Sequence, residues 1–401
     1  MNIAILGFGT VGSGIYEILK NNKEAIAKRV GEEITVKYIL DIRDFSSHED
    51  AHLFTNDYNV ILNDSSVDVV AEVIGGVEPS MTFTREALAA GKHVVTSNKE
   101  LVATHGDELF KIANENGKAY LFEAAVGGGI PLIRPLYNCL AANNIKKIIG
   151  VLNGTTNYIL TEMITKGRDF DSALKSAQEN GYAERDPSAD IEGKDTARKI
   201  SILTSLLYGS RVDCRHIETE GITNITMEDV KYAEAAGCDI KLIGYGELEN
   251  SKVFARVSPM FISKHSPISC AMGVYNAVLA NGDSVGNVLF YGQGAGKLPT
   301  ASAVLGDIID IARHKNVSMS WNSENSDSYL SDEDVKTGAF VRIAESSDIS
   351  FSEKYPSAIS LEAHTSSEKA YIIPSMTESE FKKLSCIKKI RCENNFKPSI
   401  G

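Results

Sequence analysis

A chain that opens on a short apolar strand, a glycine turn and a long helix has few folds to choose from. The run IAIL (3–6) is followed by GFGTVGSG, in which Gly7, Gly9 and Gly12 form a G-x-G-x-x-G. The helical pattern IYEILKNNKEAIAK and a second β-rich run, EITVKYIL (33–40), come next. Such glycines permit a tight turn and the close approach of a pyrophosphate, while the helix N-terminus supplies free N–H groups and the positive end of its dipole. The order strand, motif, helix, strand distinguishes a dinucleotide site from a glycine-rich structural turn. The candidate cofactor contacts are therefore Gly7, Phe8, Gly9, Thr10, Val11 and Gly12.

The same rhythm continues through VDVVAEVI (67–74), KHVVTS (92–97) and KAYLFEAA (118–125), with helical segments between that end near Gly91 and Gly117. Nearly continuous apolar strands separated by helices predict a parallel sheet buried on both faces. Ligands of such sheets bind at the carboxyl ends of the strands. At the end of the second strand Asp41 can accept from a ribose 2′-hydroxyl, favouring NAD, and Arg43 can pair with a 2′-phosphate, favouring NADP. Both stand there, so the preference stays open, and either residue can instead belong to a surface ion pair. HEDAH (His48–His52) fits the H-E-x-x-H pattern of zinc proteases. It lies just past the second strand without a supporting third ligand, so it reads as a solvated loop and no zinc is expected.

Beyond Pro135 the pattern becomes mixed. Strand-like IKKIIGVL (145–152) and VFARVSPMFI (253–262) alternate with helical stretches near 171–180, 195–208 and 227–237. TASAVLGDIIDIARHK (300–315) reads as a helix, SWNSENSDSYLSDED as a Ser/Asn/Asp-rich linker, and AFVRIA, KAYIIP and TESEFKKL as parts of a small closing module. The expected architecture is α/β. A Rossmann-type doubly wound parallel sheet covers 1–135, an α+β catalytic and dimerisation domain 136–299, and a helix returning to the nucleotide-binding domain 300–320. A reduced module over 336–401 completes it. With 401 residues, 43% of them hydrophobic, several cores are affordable. The net charge of −12 leaves nucleic-acid binding without its electrostatic footprint. No apolar run is long enough to span a bilayer, and the first residues carry no basic region of a secretory signal. The six scattered cysteines suggest reduced thiols in a cytoplasmic setting.

The chemistry concentrates in GYAERDPSADIEGKDTARK (181–199). Asp195 and Lys199 are four residues apart and share a helix face, a pairing that alone is most often an exposed ion pair; the acids on the approach to the helix favour a site. Glu184 and Asp190 lie on a turn-rich approach where acceptors can converge on an ammonium group. An ammonium held in a dry cleft stabilises the charge that develops on an aldehyde oxygen during hydride delivery, and supplies its proton.

This run is similar to the signature of the homoserine dehydrogenase family, and GFGTVGSG, VDVVAEVIGGVEP, GKHVVTSNKELVA, FEAAVGGGIP, VLNGTTNYIL and FYGQGAGKLPTASAVLGDI resemble that family in the same order over residues 1 to 315. The resemblance implies NAD- or NADP-dependent interconversion of L-homoserine and L-aspartate 4-semialdehyde, on the route to threonine, methionine and isoleucine, by a cytoplasmic homodimer. It implies that Lys199 donates and accepts the proton at the substrate oxygen, that Asp195 orients that lysine or the substrate, and that Lys99 sits between nicotinamide and substrate. Glu184, Asp190, Gly154, Thr155 and Tyr182 would contact the substrate, and Gly75, Ser97, Lys99 and Gly294 the cofactor. It further implies a monovalent cation, sodium, held by the Glu123 carboxylate with the carbonyls of Val126, Gly128 and Ile130; the alternative is a glycine-rich hinge that Glu123 caps. NGTTNYIL reads either as a substrate loop or as a helix start capped by Thr155 or Thr156. Residues 336–401 resemble an ACT regulatory module only in part. The Asp-x-x-Gly helix start and first long helix are missing between Ser346 and Ser360, so oligomerisation is expected there before threonine sensing. A sister oxidoreductase acting on another amino acid semialdehyde, and an inactive nucleotide sensor, are the competing readings; the lysines argue against the second.

Overall fold

The computed structural model describes residues 1–314, 318–325, 329–362 and 367–398. Lys315, at the end of one expected helix, and linker residues 326–328 lie outside them. The chain divides into two compact units, one of Met1–Asn144, Ser201–His216 and Gly292–Asn325, the other of Ile145–Ile200, Ile217–Tyr291 and Ser326–Gly401.

The first unit contains β1 (Asn2–Leu6), α1 (Thr10–Val30), β2 (Thr35–Leu40), β3 (Phe54–Thr55), α2 (Tyr58–Leu62), β4 (Val69–Glu72), α3 (Ser80–Ala89), β5 (His93–Thr96), α4 (Lys99–Glu115) and β6 (Tyr120–Leu121). Its strands form a six-stranded sheet in the order β3-β2-β1-β4-β5-β6, parallel at every pairing. This is the doubly wound arrangement that the alternating pattern predicts. Ile3, Ile5, Val69, Val94 and Leu121 are fully buried, as expected of strands covered on both faces. Gly91 and Gly117 follow the helix ends in the left-handed region. The last expected strand is shorter than KAYLFEAA suggests: after Leu121 the chain turns into a 3-10 segment at Glu123–Ala125. HEDAH runs through a bend and a turn into a 3-10 segment at Ala51–Leu53, so its two histidines do not share the face of an α-helix.

The second unit holds β7 (Ile145–Val151), α5 (Gly154–Lys166), α6 (Phe170–Glu179), α7 (Ser188–Ile191), β8 (Glu218–Thr219), α9 (Met227–Ala235), β9 (Cys238–Glu249), β10 (Lys252–Ser263) and β11 (Tyr275–Gly282). The unit boundaries fall within α8 (Lys194–Tyr208) and β12 (Gly286–Gln293), while α10 (Lys297–Arg313) belongs to the first unit. The tail contributes β13 (Lys336–Ala344), α11 (Asp348–Lys354), β14 (Ile359–Leu361), β15 (Glu368–Thr377), α12 (Glu378–Lys383) and β16 (Lys388–Cys392). One ten-stranded sheet runs β12-β11-β7-β9-β10-β16-β13-β15-β14, with β8 on β10.

Two expectations change here. Residues 336–401 are not a separate body: β16 pairs parallel with β10 through Met260–Arg391 and Phe261–Cys392, so the tail extends the same sheet. Residues 136–144 and 201–216, expected in the middle domain, belong to the first unit. The tail follows the order strand, helix, strand, strand, helix, strand of a split βαβ motif. Its first helix is the seven-residue α11, so the long helix is indeed missing and a short one holds its place. A buried ionic cluster joins tail to sheet: Arg256 on β10 contacts Glu378 at the start of α12, and Arg391 Nε donates to the same carboxylate at 2.7 Å.

Candidate active site

Strand register assembles the nucleotide end. Leu6 is level with Leu40 and with Glu72, and Glu72 with Thr96. The residues that follow, Gly7, Asp41, Gly75 and Ser97, therefore leave the sheet at one carboxyl edge, where α/β sites form. Gly7 adopts φ +95°, and its N–H donates to Leu40 O at 2.8 Å. A Cβ on Gly12 would stand 1.9 Å from Gly7 O, so only glycine lets α1 start this close to the turn. Nothing lies within 4 Å of a Cβ on Gly9, leaving that side of the turn open. Thr10 and Val11 open α1, and Phe8 packs edge-on against Tyr16, Phe45 and Phe54. The turn is an open main-chain cradle at a helix N-terminus, and it fits a dinucleotide pyrophosphate.

Asp41 and Arg43, just past β2, form one assembly. Arg43 donates to Asp41 from Nε at 2.9 Å and Nη2 at 2.8 Å, and Phe8 N–H donates to Asp41 Oδ2 at 2.8 Å. The guanidinium, more than any other neighbour, holds the Asp41 carboxyl well below the usual range. Beneath Gly75, the buried Glu72 accepts from Ile74 N–H at 2.9 Å, Ser80 Oγ at 3.0 Å and Thr96 Oγ1 at 2.7 Å. Sequence reasoning did not single it out. Its signal was an acid at the end of an otherwise apolar strand. Asn98 caps α4 through Leu101 N–H at 3.1 Å, presenting Lys99 as the first helical residue at the same edge. Gly294 lies elsewhere, against the 127–129 loop: a Cβ on Gly128 would be 2.5 Å from its carbonyl.

The expected sodium ligands do not fit that role through Glu123. Its buried carboxylate accepts Leu132 N–H at 2.5 Å and Ile133 N–H at 2.8 Å on one oxygen, and Arg134 N–H at 2.9 Å and Nε at 3.2 Å on the other. Four donors use all the lone-pair directions a carboxylate offers. Glu123 thus caps the hinge, and its own N–H donates at 2.8 Å to Asp307, a carboxyl pushed up chiefly by burial. Among the described residues, Val126, Gly128 and Ile130 bring no additional acidic group to make a cluster.

In the second unit the segments 152–155 and 190–199 converge. Gly244 on β9 has no side chain to hold α8 away; a Cβ there would stand 3.2 Å from Thr196 Cγ2 and from Ile200 Cβ. With its first turn this close to the sheet, α8 buries both Asp195 and Lys199. Lys199 Nζ is 2.8 Å from Asp195 Oδ2 and donates to Leu152 O at 2.7 Å. The exposed ion pair, the bland alternative, is thereby excluded. Asn153 Nδ2 donates to Asp190 Oδ1 at 2.7 Å and Asp195 Oδ2 at 2.9 Å. Its Oδ1 caps α5 by accepting Thr156 N–H at 2.8 Å. The cap is Asn153 itself and not Thr155 or Thr156, because an Asx side chain at the residue before the first helical turn reaches the N3 amide. Thr155 Oγ1 instead donates to Tyr182 O at 2.6 Å, tying the start of α5 to the approach segment. Gly154 is close to Val274 O, 3.0 Å from where a Cβ would be. Tyr182 and Glu184 are exposed, with the Tyr182 ring against Tyr158. Below α5, Lys241 is fully buried, with Nζ donating to Ala271 O at 2.5 Å and Asn157 Oδ1 at 3.3 Å, and burial pushes its pKa down to about 8.

Two family models match the chain: "Homoserine dehydrogenase, NAD binding domain" over residues 7–123 and "Homoserine dehydrogenase" over residues 131–309. The homoserine dehydrogenase of Bacillus subtilis is 37% identical over 382 residues, 93% of this chain and 88% of its own. The crystal structure of a homoserine dehydrogenase from Thiobacillus denitrificans superposes with a TM-score of 0.88 at 36% identity, covering 98% of both chains. A hyperthermophilic archaeal homoserine dehydrogenase solved in complex with NADPH gives a TM-score of 0.66 at 30% identity, over 79% of this chain and 99% of that one. With a glycine cradle in one unit, a buried lysine–carboxylate pair in the other and matches across both, the chain belongs to the homoserine dehydrogenase family.

Proposed function

We propose that this enzyme interconverts L-homoserine and L-aspartate 4-semialdehyde with NAD or NADP, in the biosynthesis of threonine, methionine and isoleucine. The observation that carries the reading is the buried Lys199–Asp195 pair at 2.8 Å. When bound, the nicotinamide supplies the hydride acceptor and donor. The residues of the chain do the rest. In reduction, Lys199 as an ammonium stabilises negative charge growing on the aldehyde oxygen and gives it a proton; in oxidation, the neutral amine takes the hydroxyl proton. Asp195 orients the lysine, and Leu152 O fixes its height. Asp190 and Glu184 are the acceptors for the substrate ammonium. Gly154, Thr155 and Tyr182 shape its surroundings, and Lys99 contributes a further cation at the carboxyl edge of the parallel sheet.

Gly7, Phe8, Gly9, Thr10, Val11 and Gly12 would hold the pyrophosphate. Asp41 and Arg43 would meet the adenosine ribose, with Gly75, Ser97 and Gly294 as further cofactor contacts. The NADPH of the archaeal relative supports Arg43 as a 2′-phosphate partner. No helix among the described residues is long and apolar enough to cross a membrane; a cytoplasmic homodimer, with the tail serving subunit assembly before effector sensing, completes the proposal.

The test is Lys199→Ala. Homoserine oxidation should fall by about 1,000-fold or more while NADPH still binds, the scale of a lost proton-transfer group. Turnover within tenfold of the unaltered enzyme would refute the assignment.

A further inference from the structure

We infer that Asn153 is a positioning residue of the reaction, holding Asp190 and Asp195 in fixed register through the two hydrogens of one amide. The inference rests on the function proposed above. A side-chain NH2 has two N–H bonds, and both are used: one reaches Asp190 Oδ1 at 2.7 Å, the other Asp195 Oδ2 at 2.9 Å. The second oxygen is also the one 2.8 Å from Lys199 Nζ. The acceptor for the substrate ammonium and the proton-transfer lysine are thus linked through a single neutral side chain, itself buried.

The amide orientation is determined from both sides. Its oxygen accepts Thr156 N–H at 2.8 Å and Thr156 Oγ1–H at 3.1 Å. Turned over, the group would set N–H against N–H at the helix cap and oxygen against two carboxylates. A neutral double donor also suits the position chemically. Two carboxylates brought together repel each other, and a cation between them would offset that repulsion but compete with the substrate ammonium for Asp190. An amide orders both acids and leaves their charge for ligand and lysine. In homoserine the amino-bearing carbon and the hydroxyl carbon are two bonds apart, so the spacing from Asp190 to Lys199 selects where the reacting carbon lies. Asn153 sets that spacing.

Asn153→Asp separates this role from helix capping. Aspartate has the same shape and is as good an N-cap, but it replaces the double donor with a third negative charge. A side chain that only capped α5 would tolerate the change. For a positioning residue, kcat/KM for homoserine should fall by about 100-fold, since like charges in contact cost several kcal/mol. NADPH affinity should stay within about twofold, since the first unit is untouched. Asn153→Ser keeps a cap oxygen and one donor without added charge, and should raise KM for homoserine more than it lowers kcat, with a loss of about tenfold overall. The measurements are steady-state homoserine oxidation by the full chain, NADPH fluorescence titration and thermal unfolding. An Asp variant, or if that variant does not fold a Ser variant, with unaltered kcat/KM overturns the inference while the function stands. If the unaltered enzyme itself fails to oxidise homoserine, the proposed function falls and the inference falls with it.

Discussion

The nucleotide turn owes its shape to the glycines of one short loop and to a main-chain bond with the end of β2, whereas the lysine corner is built from side chains and a carbonyl as far apart in the chain as Leu152 and Lys199, 47 positions. The first is a geometric object: Gly7, Gly9 and Gly12 matter for the atoms they lack. The second is an electrostatic one. Lys199, Asp195, Asn153 and Asp190 alternate in donor and acceptor character, so that each fixes the next. A site of the first kind fails when atoms are added, and a site of the second kind fails when charge is moved.

That contrast is most sharply broken by Gly12→Ala. The added methyl has no room beside Gly7 O, so NADPH affinity should fall by about 100-fold or more, with the turn displaced from the helix start. A fluorescence titration that finds the affinity unchanged would show that the turn is not the cofactor cradle. Arg43→Ala tests whether the first site has an electrostatic component. Freed from its guanidinium clamp, Asp41 becomes available to a ribose hydroxyl, and the ratio of kcat/KM for NAD over NADP should rise about tenfold. Thr155→Val probes the second site by removing one link, the bond to Tyr182 O. Loss of one such hydrogen bond costs about 0.5–1.5 kcal/mol, and KM for homoserine should rise several-fold with cofactor affinity unaltered.

The smallest effect is read as stability. Burial lowers the Lys241 ammonium from its ordinary 10.5 to about 8. Between those values the unfolded chain carries a proton that the folded chain has lost, so this lysine destabilises the fold below about pH 8 and the cost fades as pH rises toward 10.5. The stability of the unaltered protein relative to Lys241→Met should therefore increase across that window, by at most ~3 kcal/mol at 1.36 kcal/mol per unit. Denaturant unfolding at pH 7.5 and 10 measures it. A flat difference would mean that Lys241 keeps its ordinary pKa, and its charge, in the fold.

The same contrast explains what the sequence makes legible. The strands of the first sheet and the glycine turn follow from patterns contained in one window, because parallel burial and a tight turn each impose local residue choices. Lys199 and Asp195 are visible as a helix-face pair, yet whether that face is wet or dry depends on Gly244 in a distant strand. Asn153 is the harder case. NGTTNYIL offers Thr155 or Thr156 as the cap, and only the folded chain reveals that Asn153 caps α5 and reaches Asp190 and Asp195. Strands β9, β11 and β12 went unpredicted too; β9 is buried over nearly its whole length and so shows no apolar–polar alternation. The choice for Glu123 between holding an ion and capping the hinge stayed open in the sequence because neighbouring backbone amides, which every residue has, leave no trace of where they point.

The join between Arg256 and Glu378 sets a rule for how such a chain can be shortened. Cutting it anywhere before α12 would remove the counter-ion of Arg256 together with β16, the strand that pairs with β10. Deletion of the tail is therefore eased by replacing the arginine with something uncharged, so the order of those two changes matters.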